Sequence, residues 1–168
     1  KEVISKGTES ILNYFDSLEE GEITVYEAKL IIIGEAGVGK TTLAKKITDI
    51  DADLPLELET TKGISIKKKV LTEEDNPNFL LHIWDFGGQE IYHSTHQFFL
   101  SKRSLYVLVL DGRKEENPNY WLQVQDLLGE DSPVLILQNK KGDIRESIAI
   151  QELSSYYPNL RKPLSIIN

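Results

Sequence analysis

The chain has 168 residues, enough to bury one full core and too few for two ordinary domains, and its 40% hydrophobic and 27% charged residues exclude a mainly disordered or fibrous polymer. Nineteen Lys and Arg against 27 Asp and Glu give a net charge of −8, which repels a phosphate backbone and argues against general nucleic-acid binding. With no cysteine there is no disulfide, thiolate metal site, thiol nucleophile or lipid anchor on sulfur, so the chemistry must come from oxygen and nitrogen groups.

Thr8 to Glu20 places Ile11, Leu12, Phe15 and Leu18 at helical spacing, with Ser5 or Thr8 to cap the start and Gly21 to end it, which predicts a short amphipathic helix ahead of the domain. Lys29 to Ile33 is apolar on both faces, as a central parallel strand between helix layers must be. A helix is expected over Lys40–Asp49. Strands Ile64–Leu71 and Phe79–Trp84 follow, joined across Thr72–Asn78 by a polar turn containing Asn76-Pro77-Asn78. Then come helix Tyr92–Ser101, strand Leu105–Leu110, helix Tyr120–Leu128, strand Val134–Leu137, helix Ser147–Tyr156 and strand Leu164–Ile167. The alternation predicts an α/β fold, a doubly wound, mostly parallel sheet with one antiparallel edge strand, binding its ligand at the carboxyl ends of the strands. The longest apolar run, Leu105–Leu110, is far below the ~20 residues of a membrane span, and no signal-peptide pattern is visible, so a cytoplasmic protein without a membrane anchor is expected. The lack of any Met, including an initiator, predicts either an excised fragment or a sequence with residues missing.

The most informative stretch is Gly34-Glu35-Ala36-Gly37-Val38-Gly39-Lys40-Thr41, which fits G-x-x-x-x-G-K-[ST] directly between a strand and a helix. Glycines let the backbone curl until successive N–H groups face phosphate oxygens, and the helix start adds its positive dipole end. Lys40 would reach the β- and γ-phosphates, the Thr41 hydroxyl would ligate Mg²⁺, and Thr42 completes the nucleotide-binding stretch.

Strand Phe79–Trp84 leads into Asp85-Phe86-Gly87-Gly88-Gln89-Glu90, and an acid at that position can hold Mg²⁺ through its water shell. Asp-x-x-Gly-Gln-Glu after a strand resembles the Ras-like P-loop small GTPases. The Phe86-Gly87 variant, the run Ile91-Tyr92-His93-Ser94-Thr95-His96-Gln97-Phe98-Phe99, Asn119-Tyr120-Trp121-Leu122 and Gly129-Glu130-Asp131-Ser132-Pro133-Val134 resemble their Roc (Ras of complex proteins) branch, found in Roco proteins. The likeness runs from about residue 26 to 168. It implies a Ras-like GTPase fold and a GTP/GDP switch that hydrolyses GTP with Mg²⁺. Gly88 would sense the γ-phosphate through its N–H, and Gln89 would position the attacking water. Thr61, chosen over adjacent Thr60, would close onto Mg²⁺ and γ-phosphate, with 51–59 as the segment that responds to the nucleotide.

Three departures qualify the resemblance. In the family Asn-Lys-x-Asp reads guanine; here Asn139-Lys140-Lys141-Gly142-Asp143 puts the acid one place late, so Asn139, Lys140 and Asp143 are the base-reading candidates. Ala36 replaces a glycine common beside the γ-phosphate, which implies slow hydrolysis. The chain stops at Asn168, before the family's last base-contacting loop, which implies C-terminal truncation. The resemblance further implies that 1–25 is a connector from leucine-rich repeats (a cap packed on the domain is the other reading of its helix), that a COR (C-terminal of Roc) domain follows, and a capacity to form a homodimer. Two alternatives stay open: a nucleotide-binding interaction module that does not hydrolyse, and an ATP-using P-loop enzyme.

The remaining polar residues have simpler readings. His93 and His96 lack a third ligand for zinc. His82 is expected as a satisfied, half-buried ring, Lys67-Lys68-Lys69 as charges guarding an edge strand, and Tyr120, Trp121, Phe98 and Phe99 as core or interface anchors.

Overall fold

Strand β1 (Glu27–Ile33) buries both of its faces. Alternation sends Leu30 and Ile32 into one apolar layer, with Val38, Ala44, Ile83, Val107, Val109 and Leu137, and Ile31 and Ile33 into the other, with Phe86, Tyr106, Leu108, Trp121, Leu122 and Ile136. Each fully buried aliphatic or aromatic side chain contributes roughly 1.5–3 kcal/mol. The structure, a computed structural model, describes residues 26–53, 61–72, 79–87, 100–111, 117–139, 150–161 and 164–166. The expected helix 8–20 and the connector 1–25 lie outside these.

After β1 come α1 (Lys40–Thr48), β2 (Ile64–Leu71), β3 (Phe79–Phe86), β4 (Leu105–Asp111), α2 (Pro118–Gly129), β5 (Val134–Asn139), α3 (Ile150–Tyr156) and β6 (Leu164–Ile166). The sheet order is β2-β3-β1-β4-β5-β6. Among the described strands only the β2–β3 pair is antiparallel, from Ile64 opposite Phe86 to Leu71 opposite Phe79, and the other four pairs are parallel. This is the doubly wound, mostly parallel sheet with one antiparallel edge strand that the alternating pattern predicts. The chain leaves β1 toward β3 on one side and later adds β4 on the other, so the loop after β1 sits where the winding reverses, the usual place for a ligand.

Several boundaries differ from expectation, each for a visible reason. Strand β3 runs on through Asp85 and Phe86 because β2 pairs with them, Ser65 opposite Asp85 and Ile64 opposite Phe86. Helix α2 begins at Pro118, where proline suits the first helical position, and the Asn117 side chain accepts the Asn119 N–H at 3.1 Å. At the end of the expected helix 92–101, Leu100 and Ser101 are not helical: the Ser101 N–H donates to the Tyr106 hydroxyl at 2.9 Å instead of to a carbonyl one turn back. Residues 92–99 lie outside the described part.

The lysine run lies on edge strand β2 as expected, with Lys68 exposed. Lys69 also donates to the Thr48 carbonyl at 2.7 Å, closing the C-terminus of α1. His82 differs from expectation. Among the described residues its Nε2 has no hydrogen-bond partner, although it lies 3.4 Å from Glu27 Oε2.

Candidate functional site

The loop from Gly34 to Gly39 is held in a curl that its glycines permit. Gly34 sits at φ +136°, where a Cβ would collide with the Val109 carbonyl. Gly39, at φ +103°, caps α1 without any side-chain hydrogen bond, and a Cβ there would lie 2.7 Å from Asn139 Nδ2. The first amides of α1 are therefore not closed off by a capping side chain, which leaves them suited to an anion. Val38 is fully buried, while Ala36 and Gly37 stay exposed on the rim and Thr42 is half-buried.

Other elements grip this loop. Lys40, 5% exposed, donates from Nζ to the Gly34 carbonyl at 2.8 Å and the Glu35 carbonyl at 2.6 Å. Asn139, at the end of β5, donates from Nδ2 to the Val38 carbonyl at 2.9 Å. Trp121 on α2 donates from Nε1 to Glu35 Oε1 at 3.2 Å.

Beside the loop, three oxygens converge. Thr41 Oγ1 and Thr61 Oγ1 are 2.7 Å apart, and each reaches Asp85 Oδ2, at 2.8 and 2.9 Å. Asp85 is wholly buried, and its Oδ1 has no hydrogen-bond partner among the described residues. A carboxylate only accepts, so two hydroxyl protons must serve three oxygen–oxygen contacts, and one contact brings lone pairs together. Oxygen-only donors, a buried anionic charge and an unpaired carboxylate oxygen fit a hard divalent cation such as Mg²⁺. Gly87 shapes this corner: its N–H donates to the Gly63 carbonyl at 2.8 Å, and a Cβ would strike the Thr61 carbonyl.

The structure thus brings together Gly34, Glu35, Ala36, Gly37, Val38, Gly39, Lys40, Thr41, Thr42, Thr61, Asp85 and Asn139 at the carboxyl ends of β1, β3 and β5. Gly88, Gln89, Lys140 and Asp143 lie outside the described residues, as do His93 and His96. Sequence reasoning missed two contributors. Trp121 was expected as a core or interface anchor, and its indole partner is 86 residues away, beyond any local pattern. Gly87 lies inside the Asp85–Glu90 motif but was given no role of its own, and the signal for one was the first of two consecutive glycines directly after a strand.

A model of the family described as "Ras of Complex, Roc, domain of DAPkinase" matches residues 29–142. The probable serine/threonine-protein kinase pats1 of Dictyostelium discoideum is 34% identical across 88% of this chain, which corresponds to 5% of that protein. The Roc-COR-CHAT protease of Runella zeae is 32% identical across 90% of this chain and 19% of its own length. Among solved structures, that of Methanosarcina barkeri Roco2 RocCORdC bound to GDP is 41% identical with a TM-score of 0.78, covering 91% of this chain and 47% of that one. The chain therefore spans under a fifth of these two curated relatives and about half of the solved structure.

Proposed function

This chain belongs to the Roc family of Ras-like GTPase domains, and from that membership we propose that it is a Mg²⁺-dependent guanine-nucleotide switch that hydrolyses GTP slowly to GDP and phosphate. The observation that carries the reading is the knot of Thr41, Thr61 and Asp85 beside a glycine loop whose lysine is already turned inward. Lys40 and the amides of 34–41 hold the phosphates. The two threonine hydroxyls and Asp85 hold Mg²⁺, which supplies positive charge to the β- and γ-phosphate oxygens when bound.

Asn139, Lys140 and Asp143 read the base, Gly88 senses the γ-phosphate, and Gln89 orients the attacking water, roles carried by the family resemblance. Ala36 stays exposed on the loop's rim, where its methyl group can crowd whatever approaches the γ-phosphate, and this supports a slow reaction. The neighbouring structure's GDP supports a guanine ligand here. Within a longer protein the switch would govern an attached COR domain, follow leucine-rich repeats, form a homodimer and act in the cytoplasm.

The test is competition against labelled GDP with Mg²⁺ present. GTP is expected to displace the label at least about a hundredfold better than ATP, a difference of roughly 3 kcal/mol. Equal competition by ATP overturns the guanine assignment, and undiminished affinity in Lys40→Ala overturns the phosphate site.

A further inference from the structure

The phosphate loop carries an acid of its own, Glu35, at the border of a seat suited to a polyanion. A carboxylate free to turn into that seat would repel the phosphates, and would repel a triphosphate more than a diphosphate. Trp121 occupies the first turns of α2, whose start is fixed by the Asn117 cap and Pro118. Its indole is 4% exposed and packed in the layer with Ile31, Ile33 and Leu122, so its N–H is a donor of fixed direction. That N–H is directed at Glu35 Oε1, 3.2 Å away. The main chain of the same glutamate receives Lys40 Nζ at 2.6 Å, so Glu35 is held at both ends, by α2 through its carboxylate and by the phosphate lysine through its carbonyl.

We infer that Trp121 is a positioning residue that tethers the Glu35 carboxylate toward α2 and out of the phosphate seat, and thereby sets the preference for triphosphate over diphosphate. The inference rests on the guanine-nucleotide reading above. The role assigned to the indole is exerted through the Glu35 carboxylate that its N–H holds.

The experiment measures GTP and GDP affinity with Mg²⁺ for the chain, for Trp121→Phe, for Glu35→Asp, and for Trp121→Phe placed in the Glu35→Gln background. Trp121→Phe keeps most of the packing and removes the donor, so GTP binding is expected to weaken by about tenfold and GDP binding by about threefold. Glu35→Asp keeps the charge but shortens the reach to the indole, and it should shift the GTP-to-GDP ratio in the same direction. With Glu35→Gln the charge is gone, so adding Trp121→Phe should then cost under about twofold. An unchanged ratio in Trp121→Phe and Glu35→Asp overturns the inference. An equal loss from Trp121→Phe in both backgrounds also overturns it, because that is the signature of packing alone. Melting without nucleotide shows whether Trp121→Phe is folded, and if it is not, Glu35→Asp decides. A parent chain that binds neither nucleotide overturns the guanine reading itself, a result distinct from the others that removes this inference with it.

Discussion

Thr41 Oγ1 lies 2.8 Å from Asp85 Oδ2, although 44 residues of chain separate them. The contact joins the first turn of α1 to the end of β3 and leaves the other carboxylate oxygen buried without a partner among the described residues. Such a group is a stability cost retained where a ligand needs it. Asp85→Asn is therefore expected to lose the Mg²⁺-dependent gain in GDP affinity, by at least about tenfold, while the ligand-free chain melts no lower than the parent. GDP titrations with Mg²⁺ and with a chelator, beside thermal melts, check both halves. A variant that retains the full Mg²⁺ response would remove Asp85 from the metal site.

Gly34 and Gly37 both have positive φ, but their surroundings differ. A Cβ on Gly34 meets the Val109 carbonyl of the neighbouring strand, whereas one on Gly37, at φ +78°, meets nothing within 4 Å. Gly34→Ala should lower the stability of the ligand-free chain by about 3 kcal/mol or more, and Gly37→Ala by about 1 kcal/mol, the cost of a left-handed alanine. Denaturant unfolding separates the two. Equal losses would mean that the loop relaxes away from β4.

The Tyr106 hydroxyl, in a wholly buried residue, accepts the Ser101 N–H at 2.9 Å and donates to the Ser101 carbonyl at 2.8 Å. Burial pushes its pKa up from 10.0 to about 12, with the Ser101 hydrogen bond working against that rise. An acid with a raised folded pKa stabilises the protein fully below its unfolded pKa, and that stability falls as pH climbs from 10.0 to about 12. The expected slope is about 1.4 kcal/mol per pH unit in that window. Tyr106→Phe should remove the slope and cost about 1–2 kcal/mol at neutral pH through the two lost bonds. Unfolding at a series of alkaline pH values measures it, provided other tyrosines are controlled by difference between the two chains.

Lys69 tests how an edge strand can close a helix. Its Nζ satisfies the last carbonyl of α1, at Thr48, so Lys69→Ala is expected to cost about 0.5–1 kcal/mol. Lys68→Ala, exposed on the same strand, should change stability by less than about 0.5 kcal/mol. Similar values for the two would deny Lys69 its capping role.

How far the sequence could be read depended on the range of the signal. Strand β2 is found over Ile64–Leu71 as expected, because its alternation and the turn signal after it are local. The glycine loop, Thr41 and Asp85 were singled out by fixed offsets from a strand or helix end, and Thr61 by the family resemblance. The two extra residues of β3 were not, since they exist through pairing with a strand some 20 residues earlier, Ser65 against Asp85. Asn139 was read as a base contact, and its tie to Val38, 101 residues back, has no trace in spacing. The same holds for the Trp121–Glu35 bond: a tryptophan on a helix looks apolar until its donor's partner is known.

Lys40 has the longest flexible side chain in the loop, yet its ammonium group is already fastened to two carbonyls inside its own curl. Immobilising such a chain costs on the order of 2 kcal/mol of rotamer entropy, and here folding has absorbed that cost before any ligand arrives. Calorimetry of nucleotide capture should then show little ordering entropy from this residue, with its contribution appearing as enthalpy from exchanging carbonyl partners for phosphate oxygens.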